Sequence, residues 1–323
     1  MTTLKRSAAS IHLRLPATSA NLGPAFDTAA VALNLHLEVT AQAAENFAIS
    51  ARGRNAEACG QVEGNLILET YRQILLDQGR PVQPLHLDVN NEIPLGMGCG
   101  SSAAARLAGI VLAIEFGELG WPEEEILSAA TYLEGHPDNV TACWLGGMTV
   151  SAVSSRKAEN KGRNSFPCVH VARIEIPAHW KAVMVLPLEP MRTAESRKVL
   201  PDAYTRADVV ENLQHSSLLV AAFASGRSDL LQAAMHDTLH QPYRRLICPL
   251  LGKLLPLCAE AGILGVALSG AGPGVLLIVE RNLENDRLNH AVETRLGEEI
   301  DAEVVPCGFV GRGANRVFDK IHV

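Results

Sequence analysis

The segment Pro94–Leu–Gly–Met–Gly–Cys–Gly–Ser–Ser–Ala–Ala104 constrains this chain more than any other. Gly96, Gly98 and Gly100 alternate. Ser101 and Ser102 then open a small, apolar stretch, Ala103 to Glu118, that reads as a helix buried on most sides. Before the loop, Leu85–His86–Leu87–Asp88–Val89 alternates as a strand does. Glycines let the backbone take positive φ and come close to a ligand. A helix start presents unpaired N–H groups and the positive end of its dipole, which suits phosphate. Serine hydroxyls add a contact to phosphate or to a metal ion. The same residues would also make a plain tight turn with serine as helix cap. Three alternating glycines followed by Ser–Ser and a small-residue helix favour the phosphate site. The loop is not a Walker A motif, since no Gly-Lys-Ser/Thr occurs, and Ser101 stands where a dinucleotide fingerprint needs its third glycine.

Two further segments carry chemistry. Leu133–Glu–Gly–His–Pro–Asp–Asn139 closes a helix that begins at Trp121–Pro122–Glu123–Glu124–Glu125, where proline and acidic residues suit the first turn. Glu134 falls at that helix's C-terminus, where the dipole opposes a carboxylate by several tenths of a kcal/mol. This placement points to a cation partner such as Mg²⁺, although a polar C-capping turn accounts for the same pattern. His136 and Asp138 alone are too sparse for a zinc site. Leu268–Ser–Gly–Ala–Gly–Pro–Gly–Val275 lies between two apolar runs. It reads as a glycine turn joining two strands, or as a second backbone wall beside the nucleotide.

The rest of the chain is ordinary. Its 323 residues suggest about two domains at roughly 150 residues each. Strands are expected at 11–15, 33–39, 182–186, 265–268 and 275–279, and helices at 66–76, 208–223 and 229–239. They interleave without a βαβ rhythm, so the class is α+β. The polar stretch Ser154 to Ser165 is the expected seam, giving domains 1–160 and 161–323. Lys plus Arg is 28 and Asp plus Glu is 35, a net charge of −7, and aromatics are 4%. That balance argues against nucleic acid as a partner. Gly262 to Val279 carries no charge but holds five Gly and a Pro, so two buried strands are expected there and no membrane span. Seven cysteines without a CxxC read as reduced thiols, and with no signal peptide evident the chain is expected to be cytoplasmic.

Together, the three segments resemble the signature of the galactokinase, homoserine kinase, mevalonate kinase and phosphomevalonate kinase (GHMP) superfamily. Further segments resemble its homoserine kinase branch. They are Asn21–Leu–Gly–Pro–Ala–Phe–Asp27, Glu-Gly-His-Pro-Asp-Asn with Gly146–Gly147, Thr193 to Pro201, and Leu239–His–Gln–Pro–Tyr–Arg244. The matches run in family order from about residue 11 to 279. Cys99, Ala25 and Thr28–Ala29–Ala30 depart from the usual pattern.

The resemblance implies a ribosomal S5 domain 2-like N-terminal domain, a ferredoxin-like C-terminal domain and a homodimer. It implies ATP- and Mg²⁺-dependent phosphorylation of L-homoserine to O-phospho-L-homoserine, in threonine biosynthesis. It places ATP at Asn65, Pro94, Gly96, Gly98, Gly100, Ser101, Ser102, Ala103 and Ala104. The metal would be at Ser102 and Glu134, and the substrate at Asn21, Asp27, His136, Asn139, Arg197 and Arg244. Asp138, Asn139 and Arg197 are the catalytic candidates, and whether Asp138 or Asn139 stands at a base-like position is open. The residue chemistry is consistent with this. An amino acid needs an anion for its ammonium, which Asp27 can be, and cations for its carboxylate, which Arg197 and Arg244 can be. The alternatives are a kinase of the same superfamily acting on a sugar or mevalonate-type alcohol, and a non-catalytic nucleotide-binding regulator on the same fold.

Overall fold

The computed structural model describes residues 10–154, 166–189, 193–298 and 300–317. One sheet is built from β1 (Ile11–Asn21), β2 (Ala25–Ala43), β3 (Ala48–Gly53), β4 (Leu85–Asn91), β5 (Met148–Ser154) and β6 (Cys168–Ile174). The second holds β7 (Trp180–Pro187), β8 (Ile263–Leu268), β9 (Val275–Glu280) and β10 (Ala302–Pro306). A last strand, β11 (Asn315–Val317), returns to pair with β1. The larger sheet runs β11-β1-β2-β4-β3, and β2 is long enough to pair with β4 at one end and β5 at the other. Its helices are α1 (Ala56–Cys59), α2 (Leu66–Asp77), α3 (Ser101–Phe116), α4 (Glu123–Glu134) and α5 (Asp138–Leu145). The second half carries α6 (Thr193–Lys198), α7 (Arg206–Ser225), α8 (Ser228–Ala234), α9 (Gln241–Arg244), α10 (Pro249–Leu254) and α11 (Asn285–Leu296).

The class is α+β, as the residue pattern requires. The smaller sheet is antiparallel throughout, in the order β10-β7-β9-β8. Numbered by its own strands that is 4-1-3-2, the ferredoxin-like order. Its strands read as continuous apolar runs because both faces are covered. Ala182, Met184, Leu186, Leu276 and Ile278 join the core of the larger sheet, while Val183, Val185, Val275, Leu277 and Val279 form a second core with α10 and α11. One hydrophobic core therefore spans both sheets, and loops from each are held against the other. Within it, α3 buries Ala103, Ala104 and the run Leu107–Ile114, so its small residues let α2 pack closely. Removing a side chain such as Leu107 would cost about 2–5 kcal/mol.

Two expectations differ from the structure. Residues 155–165 of the expected seam lie outside the described residues, but the strands flanking it, β5 and β6, pair antiparallel in one sheet. The chain changes sheets at 175–179 instead of at 160/161. A charged stretch without periodicity reads the same whether it joins two domains or two strands. The helix expected to reach residue 239 ends at Ala234. Beyond it, the Asp237 carboxylate accepts the amides of Leu239, His240 and Gln241 and reorganises the chain. The uncharged segment 262–279 is the β8–β9 hairpin, and no helix among the described residues is long and apolar enough to cross a membrane.

Candidate active site

The three chemistry-bearing segments, far apart in sequence, meet in one cavity between the sheets. Its walls include Gly96, Gly98, Gly100, Ser101 and Ser102 from the glycine loop, Glu134, His136, Asp138 and Asn139 from the α4–α5 junction, and Gly270, Ala271 and Gly272 from the β8–β9 turn. Asn21, Asp27, Arg197 and Arg244 complete it.

The glycine-loop end of the cavity is made of backbone. Gly100 is the residue before α3; it has φ 69° and no side chain to cap the helix. The first-turn amides of α3 thus face the cavity beside Ser101 and Ser102. A Cβ on Gly98 would overlap the carbonyl oxygen of Ser269, and one on Gly100 would overlap the Thr18 hydroxyl. Glycine is needed at both places for space as well as for positive φ. Ser269 Oγ donates to the Gly98 carbonyl at 2.7 Å and lies within hydrogen-bond distance of Ser19 Oγ at 2.8 Å, so the β8–β9 turn is the loop's second wall. Cys99 is buried, and desolvation pushes its thiol up to about 12, so it serves as apolar packing. Pro94 is buried at the base of the loop, while Ala103 and Ala104 face the core; none of the three lines the cavity.

Glu134 ends α4 and is not alone there. Its Oε2 accepts from Ser102 Oγ at 2.8 Å and from Arg106 Nε at 2.8 Å. Arg106 answers the unfavourable helix end, and nothing in the motif pointed to it. Beside the loop lies a second, mostly apolar pocket lined by Leu37, Asn65, Ile67, Val89, Ile93 and Leu95 and reaching Ser101 and Ser102. Asn65 is the N-cap of α2: its side chain accepts the amides of Ile67 and Leu68 and donates to the Cys59 carbonyl.

The opposite end of the cavity is made of charged side chains. Arg197 grips Asp27 with two parallel hydrogen bonds of 3.0 and 2.7 Å. Both side chains are about one-third exposed, at 39% and 31%. Asn21 orients Asp27: its Oδ1 accepts the Asp27 amide at 3.0 Å and its Nδ2 donates to the Gly270 carbonyl at 2.8 Å. Asn21 and Asp27 hold φ of 73° and 52°, the left-handed region that Asn and Asp tolerate best. Arg244 is only 1% exposed. Among the described residues it donates to the carbonyls of Ser196 and Gly270 and meets His240 Nδ1 at 3.3 Å, with no carboxylate in an ion pair. Burial, then the charge of Arg197, pushes its pKa down to about 10, and it stays protonated at neutral pH. Phe26 packs against both guanidinium groups, at 5.4 Å from Arg197 and 5.2 Å from Arg244.

His240 is buried, and desolvation lowers its pKa against the opposing charge of Asp237. Its Nε2 lies 2.7 Å from the Gly23 carbonyl and so carries the proton of a neutral ring, leaving Nδ1 to accept from Arg244. Asp138 is 1% exposed. Its Oδ1 meets His136 Nδ1 at 2.6 Å and accepts the Asn139 amide at 2.7 Å. Burial lowers the His136 pKa, but the hydrogen bond and charge of Asp138, with the charges of Asp27 and Glu134, outweigh it and the net shift is upward. Asn139 Oδ1 accepts from Thr18 at 2.6 Å. Thr18 and Arg106 take part without any signal in the sequence, and Phe26, Ser196 and Ser269 lie in segments the sequence marks without being singled out in them, because their roles depend on what packs against them.

A glycine loop at a free helix start, facing a charged pocket across the seam of two α+β sheets, is the arrangement of a small-molecule kinase. The models of the GHMP kinases N terminal domain and the GHMP kinases C terminal domain match residues 65–147 and 219–298. A crystal structure of homoserine kinase from Cytophaga hutchinsonii shares the fold, with a TM-score of 0.77 at 22% identity over 98% of this chain and 100% of that one. Homoserine kinases of Solibacter usitatus and Deinococcus radiodurans are 41% and 35% identical, over 88% and 86% of this chain and 92% and 87% of theirs. The chain belongs to the homoserine kinase family of the GHMP kinases.

Proposed function

We propose that this enzyme transfers the γ-phosphoryl group of ATP to the side-chain hydroxyl of L-homoserine, giving O-phospho-L-homoserine and ADP, in threonine biosynthesis. The observation that carries the substrate is Arg244. A buried guanidinium with no carboxylate in an ion pair is a costly arrangement and a receptor for an anion. A zwitterion satisfies the whole pocket: its carboxylate meets Arg244 and Arg197, and its ammonium meets Asp27. Entering between Asp27 and Arg197, it gives each the opposite charge that each now finds in the other. A neutral sugar offers neither charge.

Phosphoryl transfer is mostly positioning and charge stabilisation. The amides of the glycine loop and the start of α3 cradle the phosphates, and the apolar pocket beside Asn65 takes the adenine. Ser102 and Glu134 would hold Mg²⁺, since a hydroxyl and a carboxylate are the hard oxygen donors it accepts. When bound, the ion neutralises phosphate charge. Arg106 balances Glu134 from the other side. The substrate's hydroxyl is aimed at the phosphate end by its two anchored charges, while His136 and Asn139 line the path between. Of the two residues left open above, only Asp138 has a basic atom to receive a proton. As in the resemblance, a homodimer is expected; sedimentation of the purified chain checks it.

The deciding experiment is a coupled ADP-release assay with ATP and Mg²⁺, comparing L-homoserine with mevalonate, galactose and L-threonine. Turnover with L-homoserine alone is expected. Turnover with a sugar and none with homoserine would overturn the assignment.

A further inference from the structure

Glu211 and His215 are four residues apart on α7 and so project from one face of the helix. His236, just past the end of α8, closes against them. One ligand atom from each of the three lies within 4.8 Å of the others. His236 Nε2 is 3.2 Å from Glu211 Oε1, and the two imidazole rings stand 4.9 Å apart at 67°. Nδ1 of His215 is buried and has no hydrogen-bond partner among the described residues. None of the three lines the catalytic cavity.

We propose that Glu211, His215 and His236 form a site for one zinc-class divalent ion, with solvent in the fourth position. Two imidazoles and a carboxylate are the donor set such ions take, whereas Mg²⁺ and Ca²⁺ prefer oxygen alone. Ligands around tetrahedral zinc sit roughly 3.3 Å apart, so from a spread of up to 4.8 Å the three groups need to close by at most about 1.5 Å. The side chains of Glu211 and His236 are 49% and 54% exposed and free to make that movement. Binding through Nδ1 gives that buried nitrogen of His215 a bonded neighbour. It also ties α7 to the segment after α8, where Thr238 already bonds Asn212 and the Asp208 carbonyl. That segment leads directly to His240 and Arg244, so the site braces the substrate wall from behind. The inference needs only the fold and does not depend on the reaction.

The test uses the full chain after chelator treatment. Zn²⁺ binding is measured by calorimetry, Co²⁺ binding by visible absorption, and melting temperature with and without Zn²⁺. The expected result is a tetrahedral Co²⁺ spectrum and a rise in melting temperature with Zn²⁺. Affinity should fall by at least about 10–100-fold, the loss that even supporting groups of a metal site cause, in both Glu211→Gln and His236→Gln. Both residues are at the surface, so the folds should survive, and circular dichroism verifies it. Asp138→Asn, which alters the His–Asp cluster of the catalytic cavity, should keep the site. Absence of binding, or binding that persists in both surface variants, overturns the proposal, as does binding abolished by Asp138→Asn alone.

Discussion

The two ends of the catalytic cavity are built from different materials. The end proposed for phosphate is backbone: alternating glycines, free amides and a helix start, all within residues 96–102. The end proposed for the substrate is side chain: Asp27, Arg197 and Arg244 come from three separate elements and are held by Asn21, Phe26 and His240. Backbone donors suit a phosphate that every kinase of the superfamily binds, since they recognise charge and shape without choosing the rest of the molecule. Side-chain charges choose among acceptors, and Arg244 also joins the two ends by donating to the Gly270 carbonyl of the turn that walls the glycine loop.

Damage to the backbone end should have the largest effect. Gly98→Ala forces a side chain into positive φ, at about 1–3 kcal/mol, and into the Ser269 carbonyl besides. A loss of about 10³-fold or more in kcat/KM for ATP is expected, with the fold verified by circular dichroism. Unchanged ATP kinetics would remove the loop from the phosphate site.

At the side-chain end, the contrast is sharpest between the two arginines. Arg244→Ala should raise the homoserine KM by about 10–150-fold while the ATP KM stays put, because a charged hydrogen bond is worth roughly 1.5–3 kcal/mol. Arg197→Ala should do the same at the lower end of that range, near tenfold, since its partners are shared with water. Equal losses for ATP and homoserine would break the division between the two ends. Glu134→Gln keeps the hydrogen bond from Ser102 but removes a charge. It should lower kcat by roughly tenfold and shift the Mg²⁺ dependence to higher concentration. An unaltered metal response would take Glu134 out of the site.

The smallest effect is a pH signature, read by NMR of the imidazole protons. His136 titrates above 6.5 in the folded chain, so its pairing with Asp138 stabilises fully below pH 6.5 and fades as pH rises through the raised value. His240 is lowered, so it withdraws stability as pH falls below 6.5, where the unfolded chain takes the proton first. In Asp138→Asn, burial acts on His136 with its main opponent gone, and its pKa should drop below 6.5. A His136 pKa that stays raised would show that Asp138 is not its partner.

Much of the glycine-loop end was legible because it is local. Gly96 to Ser102 carries its chemistry in seven consecutive residues, and Pro122 and Gly135 bound α4 by rules that act over one helical turn. Pro94, Ala103 and Ala104 belong to the same motif, yet they serve packing. A motif records which residues travel together and leaves open which of them face the ligand. The substrate end was legible only as a set of residue types inside family-like segments. That Asp27 pairs with Arg197 across 170 positions, or that Arg244 is buried without an ion-paired carboxylate among the described residues, has no local trace.

What the sequence determined by itself was six of the strands and five of the helices, the α+β class, and the glycine run and charge types proposed for phosphate and for a zwitterion. Short-range forces decide these: periodic burial, capping and glycine's backbone freedom. The tertiary structure alone decided where the chain changes sheets, that the β8–β9 turn walls the glycine loop through Ser269, and that Arg106 answers Glu134. Each of these depends on which surfaces a shared core presses together, and that core is formed by residues from both ends of the chain.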